Sequence, residues 1–174
     1  MRAEPQSSSG PDLWKGLLAG ALGGLIASLA VSEFYSLLPR AESYSQPDKE
    51  DATVRAASAI SQTVVHHELT PDQKKIGGSV VHYAFGTTIA ALYGVLVEFR
   101  ESTRLGWGLP FGAAIWLGAH VITVPTLGLS EPVTSAALAD EAAEFAAHLV
   151  YGAVVEGLRR SLRASLGFLL HVGR

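Results

Sequence analysis

The stretch that decides the fold runs from Leu105 to Ser130 and reads LGWGLPFGAAIWLGAHVITVPTLGLS, 26 residues without an Asp, Glu, Lys or Arg. A helix needs about 20 mostly apolar residues to cross the hydrocarbon core of a bilayer. A helix buried in a soluble bundle would keep a polar face, and this run has none. Two more charge-free runs lie upstream, Gly16 to Ser32 (17 residues) and Ile76 to Val97 (22 residues). A fourth, less apolar stretch from about Ala142 to Leu158 carries Glu144, His148 and Glu156. The pattern predicts an all-α integral membrane protein with four transmembrane helices, at about 14–36, 76–98, 107–128 and 142–160. Residues 1–12 read as a flexible N-terminal tail and 161–174 as a basic C-terminal tail around a membrane domain over 13–160.

Composition agrees. Of 174 residues only 17% are charged, and mean hydropathy is +0.27, against roughly 25% charged in an average soluble domain. The net charge of −3 gives no general grip on nucleic acid. Cysteine is absent, which removes disulfides, iron–sulfur clusters, thiolate zinc sites and cysteine nucleophiles together. The first span is followed by Glu33 and Tyr35 and not by a small-residue cleavage pattern, so it reads as an anchor and not a cleaved signal.

Basic residues set the orientation. The N-terminus, the second loop and the C-terminus share one side and hold Arg2, Lys15, Arg100, Arg104, Arg159, Arg160, Arg163 and Arg174. The other side holds Arg40, Lys49, Arg55, Lys74 and Lys75, all in one long loop rich in acids. Both termini are therefore expected in the cytoplasm, with Trp14 and Trp107 as interfacial anchors on that side. Tyr93 and Tyr151 are assigned to the same aromatic belt, and Glu98 and Glu156 to ion pairs with nearby arginines.

Within the long loop, Pro47-Asp48 opens an amphipathic outer helix over about 48–68, with Val54, Ala57, Ser61 and Val64 on one face. Thr70-Pro71-Asp72-Gln73 spells a capping box, so the second span is expected to start outside the membrane. Pro125 should kink or end the third span, with Gly128 following.

Small residues repeat at four-residue spacing, as helix–helix seams in lipid require. Gly16, Gly20 and Gly24 mark one seam, Gly86 and Gly94 another, and Gly112 and Gly152 belong to the same packing set. Gly16-Leu17 and Gly20-Ala21 align with Gly108-Leu109 and Gly112-Ala113. Tyr93-Gly94 with Glu98 aligns with Tyr151-Gly152 with Glu156. Two repeated helical hairpins in the same orientation would produce both matches.

Ionisable groups inside spans are costly and need an account. His82, His120 and His148 all fall roughly 10 Å below the outer surface at 1.5 Å per residue. Glu144 shares a face with His148, and Glu33 ends the first span nearby. Glu33, His82, His120, Glu144 and His148 thus form a candidate polar layer with its imidazoles facing protein. Three readings stay open: neutral imidazoles bridging helices, a protonatable site, and a metal or haem held by paired histidines. The single layer and the lack of a CxxCH motif argue against haem, and no metal or other cofactor is assigned. There is no P-loop, dinucleotide fingerprint, nucleophile elbow or HExxH, so no catalytic residue is assigned and no enzymatic activity is expected.

Several segments resemble the YagU-like family of small bacterial inner-membrane proteins. They include Trp14-Lys15-Gly16, the run Val81-His82-Tyr83-Ala84-Phe85-Gly86-Thr87, Ala91-Leu92-Tyr93-Gly94 with Glu98, and Trp116-Leu117-Gly118. Val124-Pro125 with Leu127-Gly128-Leu129-Ser130 and Ala147-His148-Leu149-Val150-Tyr151-Gly152 with Glu156 complete the set. The resemblance spans about Leu13 to Arg160 and implies an inner-membrane protein with a tie to acid tolerance. Family members often carry an acidic residue beside the position of His120, where this chain has Ala119 and Val121. Two functional classes follow. One is a stand-alone protein handling protons or a small solute; the other is an accessory subunit of a larger membrane complex. Partners are then membrane lipids, with a homo-oligomer or such a complex.

Overall fold

The computed structural model describes residues 12–38, 50–100 and 106–172. The expected tail before Asp12, together with Arg2, Arg40, Lys49, Arg104 and Arg174, lies outside the described residues. All regular structure among the described residues is helical. The long helices are α1 (Leu13–Leu37), α3 (Pro71–Phe99), α4 (Leu109–Thr126) and α5 (Leu138–Val172). A shorter helix, α2 (Ala52–Ile60), continues as a π-helical turn over Ser61–Val65.

Among the described residues three helices, α1, α3 and α4, are long and apolar enough to cross a membrane. Helix α5 has ample length at 35 residues but mixes its apolar positions with Glu144, Glu156, Arg159 and Arg160. It runs on through the segment expected to be a C-terminal tail. Outward faces carry Leu22, Leu25, Ile26, Leu29, Val80, Leu92 and Leu117, all exposed, while small side chains such as Ala19, Ala27 and Ala90 are fully buried. That inside-out distribution suits a lipid solvent, where close backbone approach replaces hydrophobic burial as the packing force.

The seams follow the glycine stripes. A methyl group at Gly16 would strike the carbonyl of Gly94, one at Gly20 the carbonyl of Ala90, and one at Gly24 that of Gly86. These contacts lock α1 to α3. On the other side of the bundle, Gly108 faces Gly152 and Gly112 backs onto the carbonyl of His148, locking α4 to α5. Helix α1 also packs along α5, so α1 and α5 are the inner pair.

Local signals explain the helix ends. Asp12 caps α1 by accepting from the Lys15 N–H at 3.4 Å. The Thr70–Gln73 capping box opens α3, with the Thr70 N–H donating to Gln73 Oε1 at 2.9 Å. Helix α4 starts after Gly106, Trp107 and Gly108, all with positive φ. A glycine at 108 is needed twice, for its φ of 81° and for its contact with Gly152. Between Trp116 and Thr123 the helix loosens to a π register. Pro125 has no N–H to offer the carbonyl four residues back, and the wider register skips that missing donor. Thr123 and Thr126 hydroxyls bond the carbonyls of Gly118 and Ile122 at 2.7 and 2.6 Å. Pro125 lies in the last turn, and the helix closes when Gly128, at φ 70°, and Leu129 donate to the carbonyls of Pro125 and Val124.

Helix α2 lies against the start of α3, with Val54 over Gly78 and Ala57 over Gly77. Val54, Ala57 and Ser61 keep one face as expected, but Val64 is 73% exposed. The π-helical turn rotates it off the stripe.

Candidate functional site

At the α2 end of the bundle, α1, α3, α4 and α5 enclose a cleft of about 740 Å³, with residues 50–55 beside its mouth. His82 from α3, His120 from α4 and His148 from α5 all line it. Three histidines far apart in sequence thus reach one space, because each sits near the same end of its helix and faces a neighbouring helix.

Each imidazole has a different partner. His82 Nε2 lies 3.2 Å from the carbonyl oxygen of Ser28, joining α3 to α1. His120 Nε2 lies 3.2 Å from Glu141 Oε2, and its Nδ1 is 3.9 Å from Glu144 Oε2. The ring of His120 also stacks on Trp116, centroids 6.4 Å apart, and lies 6.0 Å from the ring of His148. His148 Nδ1 donates to the carbonyl of Glu144, one turn back on its own helix, at 2.8 Å. A donor at Nδ1 fixes the tautomer and leaves Nε2 of neutral His148 as an acceptor.

The structure places Glu33 elsewhere. It is exposed on α1, where the Ser36 hydroxyl donates to its carbonyl at 2.7 Å, and it is not among the cleft residues. Five residues beyond Ser28, it is rotated about 140° from the face that enters the bundle. The carboxylate that meets His120 most closely is Glu141, which the expected spans 107–128 and 142–160 leave between them. Its signal was the acidic pair Asp140-Glu141 at a helix start, in the first turn of α5.

The floor is Tyr151, whose hydroxyl donates to the carbonyl of Gly86 at 2.5 Å. Beyond it Tyr93 stacks on Phe111 at 4.0 Å and donates to Glu156 at 3.1 Å. Tyr93 and Tyr151 are therefore buried helix-to-helix ties and not members of an interfacial belt. Their hydroxyls find protein partners inside, which leaves nothing to draw the rings to a headgroup layer. Trp14 and Trp107 are 65% and 63% exposed, as anchors would be.

The opposite end of the bundle holds two carboxylates in forks of guanidinium groups. Glu156 is fully buried and accepts from Arg159 Nε at 2.7 Å and Arg160 Nε at 2.5 Å. Arg159 is itself only 3% exposed, and the Arg160 guanidinium covers the Trp107 ring at 4.4 Å. Glu98 takes both arms of Arg163, at 2.8 and 3.1 Å, and accepts the Asp12 N–H at 3.3 Å. Lys15, hydrogen-bonded to Asp12, holds that carboxyl below the usual carboxylate range. This end reads as a structural clasp: every charge named has an opposite one beside it, and the clasp joins α1, α3 and α5.

The chain was compared with known proteins. Residues 25–157 match the model of a family described as a protein of unknown function, DUF1440. The chain is 33% identical over 84 residues to the inner membrane protein YagU of Escherichia coli strain K12. That match covers 48% of this chain and 41% of the relative, so the chain spans less than half of the relative's length. No solved structure matches. With the family model covering most of the chain, including all three cleft histidines, the chain belongs to the DUF1440, YagU-like family.

Proposed function

We propose that this is a four-span protein of the inner membrane, with both termini in the cytoplasm and the histidine-lined cleft open to the outer side. In this reading the cleft handles protons or a small solute, in an acid-tolerance role. The observation that carries it is the contact of His120 with Glu141 at 3.2 Å beside His148, inside a cleft that His82 also lines. An imidazole between two carboxylates takes up charge with little reorganisation, because its counter-ions are already in place. The charged and imidazole groups that line the cleft with it are Asp140, Glu141, Glu144 and His148 on α5, Glu131 before that helix, His82 and Lys75 on α3, Arg55 on α2, and Glu50 and Asp51 just before α2. The name of the E. coli relative and the three apolar helices support the location. No catalytic residue, metal or cofactor is part of the reading.

The fourth span is α5, with its charges turned into the cleft at one end and into the clasp at the other. The two hairpins, α1 with α3 and α4 with α5, are then repeats. Residues aligned by sequence make equivalent contacts: Gly16 on Gly94 answers Gly108 on Gly152, and Gly20 on Ala90 answers Gly112 on His148. Helix α4 packs mainly on α5, and its sparse burial is the observation that favours a further partner, a second copy or a larger membrane complex.

The test is acid challenge of cells that depend on the protein, comparing wild type with the triple variant His82→Ala, His120→Ala and His148→Ala at matched membrane levels. The reading expects lower survival for the variant at acid pH and equal growth at neutral pH. Equal survival at both contradicts it. Purification in mild detergent distinguishes a defined homo-oligomer from an accessory subunit with stoichiometric foreign partners.

A further inference from the structure

Helix α3 carries its own depth scale. From Ile76 to Val97 it has no Asp, Glu, Lys or Arg, and those 22 residues rise about 33 Å at 1.5 Å per residue, close to the thickness of a hydrocarbon core. Lys75 and Glu98 flank the run, so each falls near a phosphate plane of the bilayer. Glu98 is held by Arg163 within the clasp. Lys75 has no equivalent. Neither Lys75 nor Arg55 makes an ion pair among the described residues, whereas the adjacent Lys74 is taken up by Glu50 at 2.8 Å.

Helix α2 brings Arg55 to the level of Lys75. Val54 lies over Gly78 and Ala57 over Gly77, so three residues along α2 correspond to one along α3. The two helices therefore cross steeply, and α2 runs across the end of α3. Arg55, next to Val54, and Lys75, one turn before Gly78, both line the cleft mouth. A guanidinium fork matches the oxygens of a phosphate, and an ammonium adds a compact point charge beside it.

Lys75 also borders a second space. A shallow groove of about 720 Å³ on α3 is lined by Asp72, Lys75, Ile76, Ser79, Val80 and Tyr83. Lys75, Ser79 and Tyr83 belong to the cleft as well, so the two spaces share a rim. On the core side of Lys75, Ile76 and Val80 are 65% and 60% exposed. Asp72 lies one turn further out. A cationic rim above an apolar strip has the polarity profile of a lipid, phosphate over acyl chain. A soluble anion would meet the cations and leave the strip bare.

We propose that this rim binds one anionic phospholipid of the adjoining leaflet, its phosphate between Arg55 and Lys75 and an acyl chain along Ile76 and Val80. A headgroup of net negative charge is favoured over phosphatidylcholine, whose quaternary ammonium would be repelled by the same two cations. The site goes beyond the proton and solute reading and does not use the histidines, so either can fail without the other.

The test is native mass spectrometry of the delipidated full chain in mild detergent, titrated with dimyristoyl phosphatidylglycerol or dimyristoyl phosphatidylcholine. The proposal expects the first phosphatidylglycerol to bind about fivefold or more tighter than the first phosphatidylcholine, the effect of one basic side chain near an anionic lipid surface. Arg55→Gln with Lys75→Gln should bring the two lipids to equal affinity. Neither side chain gives up an ion pair, so that variant should melt at the wild-type temperature. Lys15→Gln, at the opposite end of the bundle, should keep the preference. Equal affinity of the two lipids for wild type overturns the proposal without reference to any variant. So does a preference that survives the double substitution, or one that Lys15→Gln removes equally. Displacement of phosphatidylglycerol by an equal concentration of glycerol phosphate would assign the rim to a free phosphate and overturn the lipid site.

Discussion

His120 Nε2, in the π-helical part of α4, lies 3.2 Å from Glu141 Oε2 in the first turn of α5. This contact joins two helices at the cleft and gives α4 a polar tie in addition to the Gly108 and Gly112 seam. The account of function rests on that contact.

The clasp at the other end is the part of the bundle most sensitive to substitution. Glu156→Gln leaves the buried Arg159 guanidinium without its anion, a loss of about 3 kcal/mol for breaking a buried pair. Replacing both residues by methionine should recover much of that loss, since a packed apolar pair can match a buried ionic one. Reversible unfolding of wild type, Glu156→Gln and the double methionine variant measures it. A single Glu156→Gln variant as stable as wild type would remove the clasp from the account.

The seams predict opposite outcomes for the same substitution. Gly20→Ala and Gly112→Ala place a methyl group into the carbonyls of Ala90 and His148 and should each cost about 1–3 kcal/mol. Gly157→Ala meets nothing within 4 Å and should be neutral or stabilising, because alanine loses less backbone entropy in a helix. Melting temperatures of the three variants in one lipid composition decide the point. Equal effects at all three positions would show that the glycines are not packing sites.

Topology is open to a direct test because the chain has no cysteine. Ile60→Cys, exposed on α2, should react with a membrane-impermeant maleimide added to intact spheroplasts. Ser161→Cys, exposed near the clasp, should react only after the membrane is opened. The reverse labelling pattern would invert the orientation and turn the cleft toward the cytoplasm.

Much of this fold was legible in the sequence because its main signals are local. Charge-free runs located α1, α3 and α4, the Thr70–Gln73 box set the start of α3, and the glycine stripes named the seams. The cleft was legible only in part. The depth of His82, His120 and His148 follows from counting along helices, but their partners do not. Glu141 was hidden because helix α5 begins at Leu138, earlier than its apolar run. Glu33 drew attention by its depth, while its rotation about α1 turns it away from the cleft. The π register of α4 changes which residues share a face, and no periodicity of 3.6 describes it. Tyr93 and Tyr151 have the composition of a belt and the geometry of a core, a difference fixed by partners on other helices.

The central claim is that the His120–Glu141 contact ties α4 to α5 at the cleft. The most direct test is a double-mutant cycle on melting temperature in nanodiscs, with wild type, His120→Ala, Glu141→Gln and the double variant. Residues in contact give non-additive losses, and independent ones give additive losses. The account predicts that the double variant loses less than the sum of the two single variants. A double variant that loses the full sum would contradict the claim.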